Sequence, residues 1–303
     1  MVTFHKEGTA PMHGLPVLAT VTAAYRLLAR EFGTIVRLSW ATLLVVALVQ
    51  YLIAQTVLAD MAAALASGDV GAAAAIGRHP AWLALKMTAD MVGTAIVAVA
   101  IHQLILFGDR KSGQYFHIAF GRRETLFVLL ALALGIVVVV FATVVISPFG
   151  EPTAGLAPFV ATLAFFIAIY LSIRLWPILP IIVVEGRLDF TGAWALTRGK
   201  FWSLLAVAVL GTIPIGIVAL AIDSLWPSFD SLMDAITGLR KSRPNLAVAA
   251  TAVRRAQDWL LVRAFLDFVT SIVYTAVAVA LVSYSYKALT GRAPEDTLTP
   301  KAE

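Results

Sequence analysis

Long apolar runs, parted by short polar stretches that carry most of the Lys and Arg, make up the greater part of the chain. Six runs approach or exceed the ~20 residues that a membrane-spanning helix needs: Ile35–Leu58, Ala84–Phe107, Leu126–Ile146, Phe159–Val184, Leu204–Ile222 and Leu266–Leu289. The third holds no charge at all. The fifth is short and contains Gly211, Pro214 and Gly216. A kink is predicted there, because proline lacks a backbone donor and clashes one turn back. Apolar residues recur at helical spacing over Phe229–Leu239 and Leu246–Leu261. The second stretch predicts that the sixth span extends outward as one long helix from about Asn245. The expected fold class is all-α: a polytopic integral membrane helical bundle of about six transmembrane helices with amphipathic interfacial connectors.

Three of the connectors resemble one another. Ala24–Trp40, Tyr115–Leu130 and Gly192–Val207 each gather aromatic and aliphatic residues on one face and then run into a span. They carry Arg30, Arg122 and Arg198 respectively, and Arg123, Lys200 and Trp202 lie beside these. A helix lying in the interface accounts for the pattern, with its apolar face in the acyl boundary and its cations at the phosphates. A three-fold repeat of interfacial helix plus two spans would fill residues 17–289. Residues 1–16 are expected to form a flexible N-terminus and 290–303 a disordered tail. The segment 223–263 is the largest loop between spans.

Composition agrees with the pattern. Of 303 residues, 60% are hydrophobic and 14% charged, and the mean hydropathy is +0.88. A soluble domain is nearer half apolar and a quarter charged, so an ordinary cytosolic enzyme and a disordered chain are excluded. With no Cys, disulfides, thiol chemistry and Cys-ligated metals are excluded too. The net charge of +5 is not arranged as a basic stripe interleaved with aromatics, so no nucleic-acid partner is expected. Its distribution sets an orientation. Fourteen Lys and Arg flank one side of the spans and eight the other. The positive-inside rule then places both termini in the cytoplasm. The first long run begins too late for a secretory signal and is read as an uncleaved anchor.

Candidate chemistry concentrates in the fourth span. Arg174 lies about ten residues from its cytoplasmic end, about 15 Å deep at helical rise. A cation there must pair, draw in water or face the protein interior. Pro177 and Pro180 follow and free carbonyls one turn earlier, and Glu185 and Gly186 end the span. One reading is an anion or headgroup site. The other is a structural Arg bonded to the freed carbonyls or to a neighbouring span. By depth, His102 and Gln103 of the second span and Ser283, Tyr284 and Tyr286 of the sixth could approach Arg174. Asp90, Asp223 and Asp267 mark the outer ends of spans, with Lys86 and Arg263 as candidate partners. No nucleophile–base or nucleotide motif is present, and His5, His13, His79, His102 and His117 show no ligand spacing. No catalytic residue, metal or cofactor is therefore expected.

Over Arg174–Leu205 the chain resembles the membrane domain family of bacterial glycerophosphoryl diester phosphodiesterases. The likeness rests on Arg174, Pro180 in a Pro-broken span, Val184-Glu185-Gly186, and then Ala193, Leu196 and Gly199 leading to Trp202. The resemblance implies a multi-span protein with amphipathic connectors. It implies no activity, because in that family the phosphodiesterase reaction belongs to a separate soluble barrel, for which this chain has no room. The function expected is non-enzymatic: binding or handling lipid or another amphipathic anion through the Pro-broken span. The bilayer, anionic lipids among it, is the expected partner. A small-solute transporter and a scaffold docking a protein partner on its outer loop are the alternatives.

Overall fold

The computed structural model describes residues 15–77, 79–108, 121–141, 157–224 and 246–291. Among them there are helices and no strand. The helices are α1 (Val17–Ala66), α2 (Val70–Gly77), α3 (Pro80–Phe107), α4 (Arg122–Phe141), α5 (Ala157–Leu175), α6 (Ile178–Glu185), α7 (Phe190–Leu196), α8 (Phe201–Ser224) and α9 (Leu246–Leu289). Five stretches are long and apolar enough to cross a membrane: Val17–Ala66, Ala84–Phe107, Thr162–Glu185, Phe201–Ile222 and Ala250–Leu289. The third expected span is helical over its first part, in α4, and residues 142–146 lie outside the described residues. Also outside them lie the N-terminal residues to 14, the start of the second repeat segment (115–120), His5, His13 and His117, most of the large loop (225–245) and the tail from 292.

Exposed apolar faces fit a lipid solvent. On α5 Phe159, Leu163, Phe165 and Phe166 point outward, and on α8 so do Leu210, Ile213, Ile217 and Leu220. The opposite case is α3. From Ala95 to Leu106 nearly every side chain is buried, because α1, α4, α6 and α9 surround it. The most extensive packing is between α1 and α9. Glycine allows two close approaches. A Cβ at Gly93 would collide with Val46, fixing α3 against α1, and one at Gly211 would collide with Leu281, fixing α8 against α9.

Two helices far exceed a hydrocarbon core of ~30 Å. With 50 residues α1 is about 75 Å long, and with 44 residues α9 is about 66 Å. As the apolar spacing predicts, α9 runs unbroken from Leu246. At their far ends the two helices meet α2 around a second hydrophobic cluster of Val57, Leu58, Met61, Leu65, Ala73 and Val253.

The three repeat segments differ in the structure. The first stays within α1 and is marked by a kink at Glu31 (φ −108°, ψ 19°). Its apolar face does not lie open to lipid: Ala23, Ala24 and Leu27 are buried in the main core, and the Tyr25 hydroxyl donates to the Gly211 carbonyl at 2.7 Å. The second enters α4 with Gly121 N–H donating to Glu124 Oε2 at 2.9 Å, half of a capping box. The third divides into the short α7, a turn and α8.

Candidate functional site

The Pro-broken span is two helices. Pro177 cannot donate to Ile173, so α5 ends in a tight turn in which Trp176 N–H reaches the Ile173 carbonyl at 3.4 Å, and α6 restarts with Pro177 as its N-cap. Gly186, at φ 67°, ends α6 in the left-handed conformation that glycine adopts without strain. Asp189 then caps α7, accepting from Gly192 N–H at 2.8 Å and from the Thr191 hydroxyl at 2.8 Å. These two donors hold its carboxyl below the usual range, the Gly192 amide contributing most. Thr197, at the end of α7, is wholly buried, with its hydroxyl oxygen 3.1 Å from the Arg174 carbonyl and 3.0 Å from that of Ala193. This hydroxyl, not a guanidinium, meets the backbone at the break.

Arg174 itself is 5% exposed. Its guanidinium carbon lies 4.2 Å from the centroid of the Trp194 ring and 6.0 Å from that of Tyr170, and its Nε has no hydrogen-bond partner. Among the described residues no carboxylate pairs with it. The charge is stabilised by aromatic faces. The residues grouped with Arg174 by depth do not meet it. Glu185 turns away to Arg187 (2.7 Å), and the carboxylate hydrogen bond holds that guanidinium above its usual pKa. His102, wholly buried, has Nδ1 2.7 Å from Ser283 Oγ on α9, and its Nε2 has no partner. Tyr284 is buried in the main core, with the Lys287 ammonium 5.7 Å from its ring centroid. Gln103 is half-buried on α3, and Pro177 and Pro180 are buried at the break. No hydrogen bond, ion pair or ring contact joins Arg174 to His102, Gln103 or Tyr284. The reason lies in the packing: α5 rests on α7 and α8, whereas His102 and Tyr284 belong to the α3–α9 contact.

Of the residues assigned to the lipid interface, Arg30 lies within α1 beside its kink at Glu31, and the others stand at or next to helix ends. Arg30, Arg122 and Arg198 are exposed, Arg123 and Lys200 half-buried, and Trp202 is 77% exposed on the first turn of α8, edge-on to Phe201.

A cleft of about 340 Å³ lies elsewhere, between α1, α3 and α9. Three helical stripes line it: Leu43, Ala47 and Gln50 from α1; Lys86, Asp90 and Thr94 from α3; Arg263, Asp267, Ser271 and Thr275 from α9. Steps of three or four residues set each stripe on one helix face. Gln50 donates from its amide nitrogen to Asp90 Oδ1. Arg263 Nε donates to Asp267 Oδ2 at 2.9 Å, the pairing expected from the sequence. Lys86 does not form the corresponding pair with Asp90, and its ammonium has no ion-pair partner among the described residues. The side chain of Asp223 lies outside the described residues. A second, apolar groove of about 190 Å³ runs along the α1–α3 contact, lined by Val45, Val46, Val49, Val92 and Ile96. Val46 belongs to both. Arg174 lines neither. Sequence reasoning named Asp90 and Asp267 with Lys86 and Arg263 as candidate partners, and missed Gln50. The signal for the cleft was the four-residue polar periodicity on α3 and α9. Among the described residues no cluster of His, Asp and Glu fits a metal ion.

No family model matches the chain, and neither a curated protein nor a solved structure matches it.

Proposed function

We propose that this is a non-enzymatic multi-pass protein of the bacterial inner membrane, with about six spans and both termini in the cytoplasm, that binds or handles an amphipathic ligand. The Arg174–Trp202 motif, which resembles the membrane domains of glycerophosphoryl diester phosphodiesterases, supports this reading. The ligand site is the α1–α3–α9 cleft and not the Arg174 shelf. One observation carries this: the cleft is an open, polar volume at a defined height. Asp90 stands 17 residues before the end of α3 and Asp267 22 before the end of α9, about 26 Å and about 33 Å along the helices. That is about one hydrocarbon thickness, ~30 Å, from the cytoplasmic ends. The cleft then opens at the outer headgroup level, and the apolar groove beside it runs down into the acyl region. Charged groups at such a height, facing a cavity and not lipid, are where membrane proteins hold polar ligands.

Native mass spectrometry of the full chain, released from lipid-preserving particles, tests the assignment. The parent is expected to retain a lipid or metabolite that Asp90→Asn/Asp267→Asn loses and Arg174→Ala keeps. Loss with Arg174→Ala alone would return the site to the Pro-broken span. Identical spectra with nothing retained would overturn ligand binding. A scaffold role draws on a different feature, the α1–α2–α9 cluster that carries both long helices past the cleft. It predicts a co-purifying protein that deletion of residues 225–245 releases.

A further inference from the structure

The four charges of the cleft point to the chemistry of its ligand. Asp90 and Asp267 each use one carboxylate oxygen, for Gln50 and for Arg263. Among the described residues the second oxygen of each accepts no hydrogen bond. Lys86 presents its ammonium on the same face of α3, one turn from Asp90, near enough to be attracted to that carboxylate without forming an ion pair with it. The formal charges of Lys86, Arg263, Asp90 and Asp267 cancel. A plain anion drawn to Lys86 would face two carboxylates, and a plain cation drawn to the carboxylates would face two cations. A divalent metal is disfavoured for the second reason. From these groups we infer that the cleft takes a zwitterion: a primary ammonium held by the free oxygens of Asp90 and Asp267, with a phosphate or carboxylate a few bonds away held by Lys86 on the Arg263 side.

A primary ammonium fits better than a quaternary one. The unused groups are oxygen acceptors, which need N–H donors, and a quaternary ammonium has none. The volume of about 340 Å³ lies at the small end of the ~300–1,000 Å³ range of ligand pockets, the scale of a headgroup or amino acid. Thr94 and Thr275 add hydroxyls to the lining. Two sources present this chemistry: the ethanolamine phosphate headgroup of a lipid in the outer leaflet, and a free amino phosphate or amino acid. The inference rests on the reading of the cleft as the ligand site.

The full chain in detergent is titrated with short-chain phosphatidylethanolamine, phosphatidylcholine and phosphatidylglycerol, with O-phosphoethanolamine as competitor, and followed by native mass spectrometry. Thermal unfolding checks that each variant is folded. The ethanolamine lipid is expected to bind about tenfold more tightly than either of the others, the scale of one or two charge-assisted hydrogen bonds. Asp90→Asn keeps an acceptor for Gln50 and should erase that preference. Lys86→Gln, an exposed change, should weaken all three lipids by a similar factor. Displacement by O-phosphoethanolamine supports the zwitterion with the headgroup alone sufficient. No displacement, with the preference intact, supports the zwitterion and makes the lipid its source. Equal binding of the three lipids, or an unchanged preference in Asp90→Asn, overturns the zwitterion. If Lys86→Gln still weakens binding in that case, the cleft remains a ligand site. No binding of any probe overturns both.

Discussion

Arg174 on the α5–α7 shelf and Asp90 in the α1–α3–α9 cleft are both charged side chains among apolar helices, and their surroundings differ in kind. Around Arg174 the protein closes: two aromatic rings cover the guanidinium, a threonine seals the backbone break, and among the described residues no carboxylate answers the charge. Around Asp90 it stays open: a glutamine holds one oxygen, a lysine stands one turn away on the same helix, and an ion pair stands across a cavity. A closed, aromatic-covered cation stabilises the join between elements. An open set of opposite charges has acceptors and donors left to give a ligand. Depth within a span was the criterion that drew attention to Arg174, and it does not separate these cases. Access does.

The contrast can be broken at several points. The largest effect is expected from Gly93→Leu, which drives α1 from α3 where Val46 leaves no room for a Cβ. Overpacking of this kind costs about 2–3 kcal/mol. Thermal unfolding should show the loss, and the cleft should lose its ligand while the Trp194–Arg174 contact persists. Next comes Ser283→Ala in the α3–α9 contact. It leaves both nitrogens of the buried His102 unpartnered and should destabilise by about 1–2 kcal/mol in chemical denaturation. Trp194→Ala is expected to cost about 1 kcal/mol by removing the ring that faces the guanidinium. Arg174→Met should change stability by less than about 1 kcal/mol in either direction, because no carboxylate is left unpaired. A large loss there would mean that Arg174 has a charged partner and would erase the contrast.

The smallest effect is a pH dependence. The Asp189 carboxyl sits below its ordinary range, so its cap on α7 contributes fully above the unfolded pKa of about 3.9. That contribution is lost as pH falls through the folded value. The difference in unfolding midpoint between the parent and Asp189→Ala should therefore hold above about pH 4 and shrink as the pH falls below it. A difference that widened in acid would reverse the sign and remove Asp189 as a charged cap.

Much of the fold was legible because its signal is local. Apolar length marked out the spans, and polar residues such as Asp60 and Arg255 did not interrupt α1 or α9, since helical propensity carries through where solvent takes over from lipid. The breaks at Pro177 and at Gly186 followed from backbone chemistry that any chain with those residues obeys. The interfacial reading of Ala24–Trp40 failed in part for the complementary reason. Its amphipathic face is real, but an apolar face packs equally well on lipid or on α8 and α9, and only the folded chain chooses. Tyr25, finding the Gly211 carbonyl, records that choice.

What the sequence determined by itself was therefore one-dimensional: which stretches are helices, how long they are, where they break, and that Lys86-Asp90-Thr94 and Arg263-Asp267-Ser271-Thr275 each share a helix face. Which faces meet was left to the tertiary structure. That depends on how each helix is rotated about its axis and on how closely its neighbours approach, set here by Gly93 under Val46 and Gly211 under Leu281. These contacts join residues far apart along the chain, and no local periodicity encodes them. They bring Gln50 to Asp90 and leave Arg174 to Trp194, and so they decide which of the buried charges can reach a ligand.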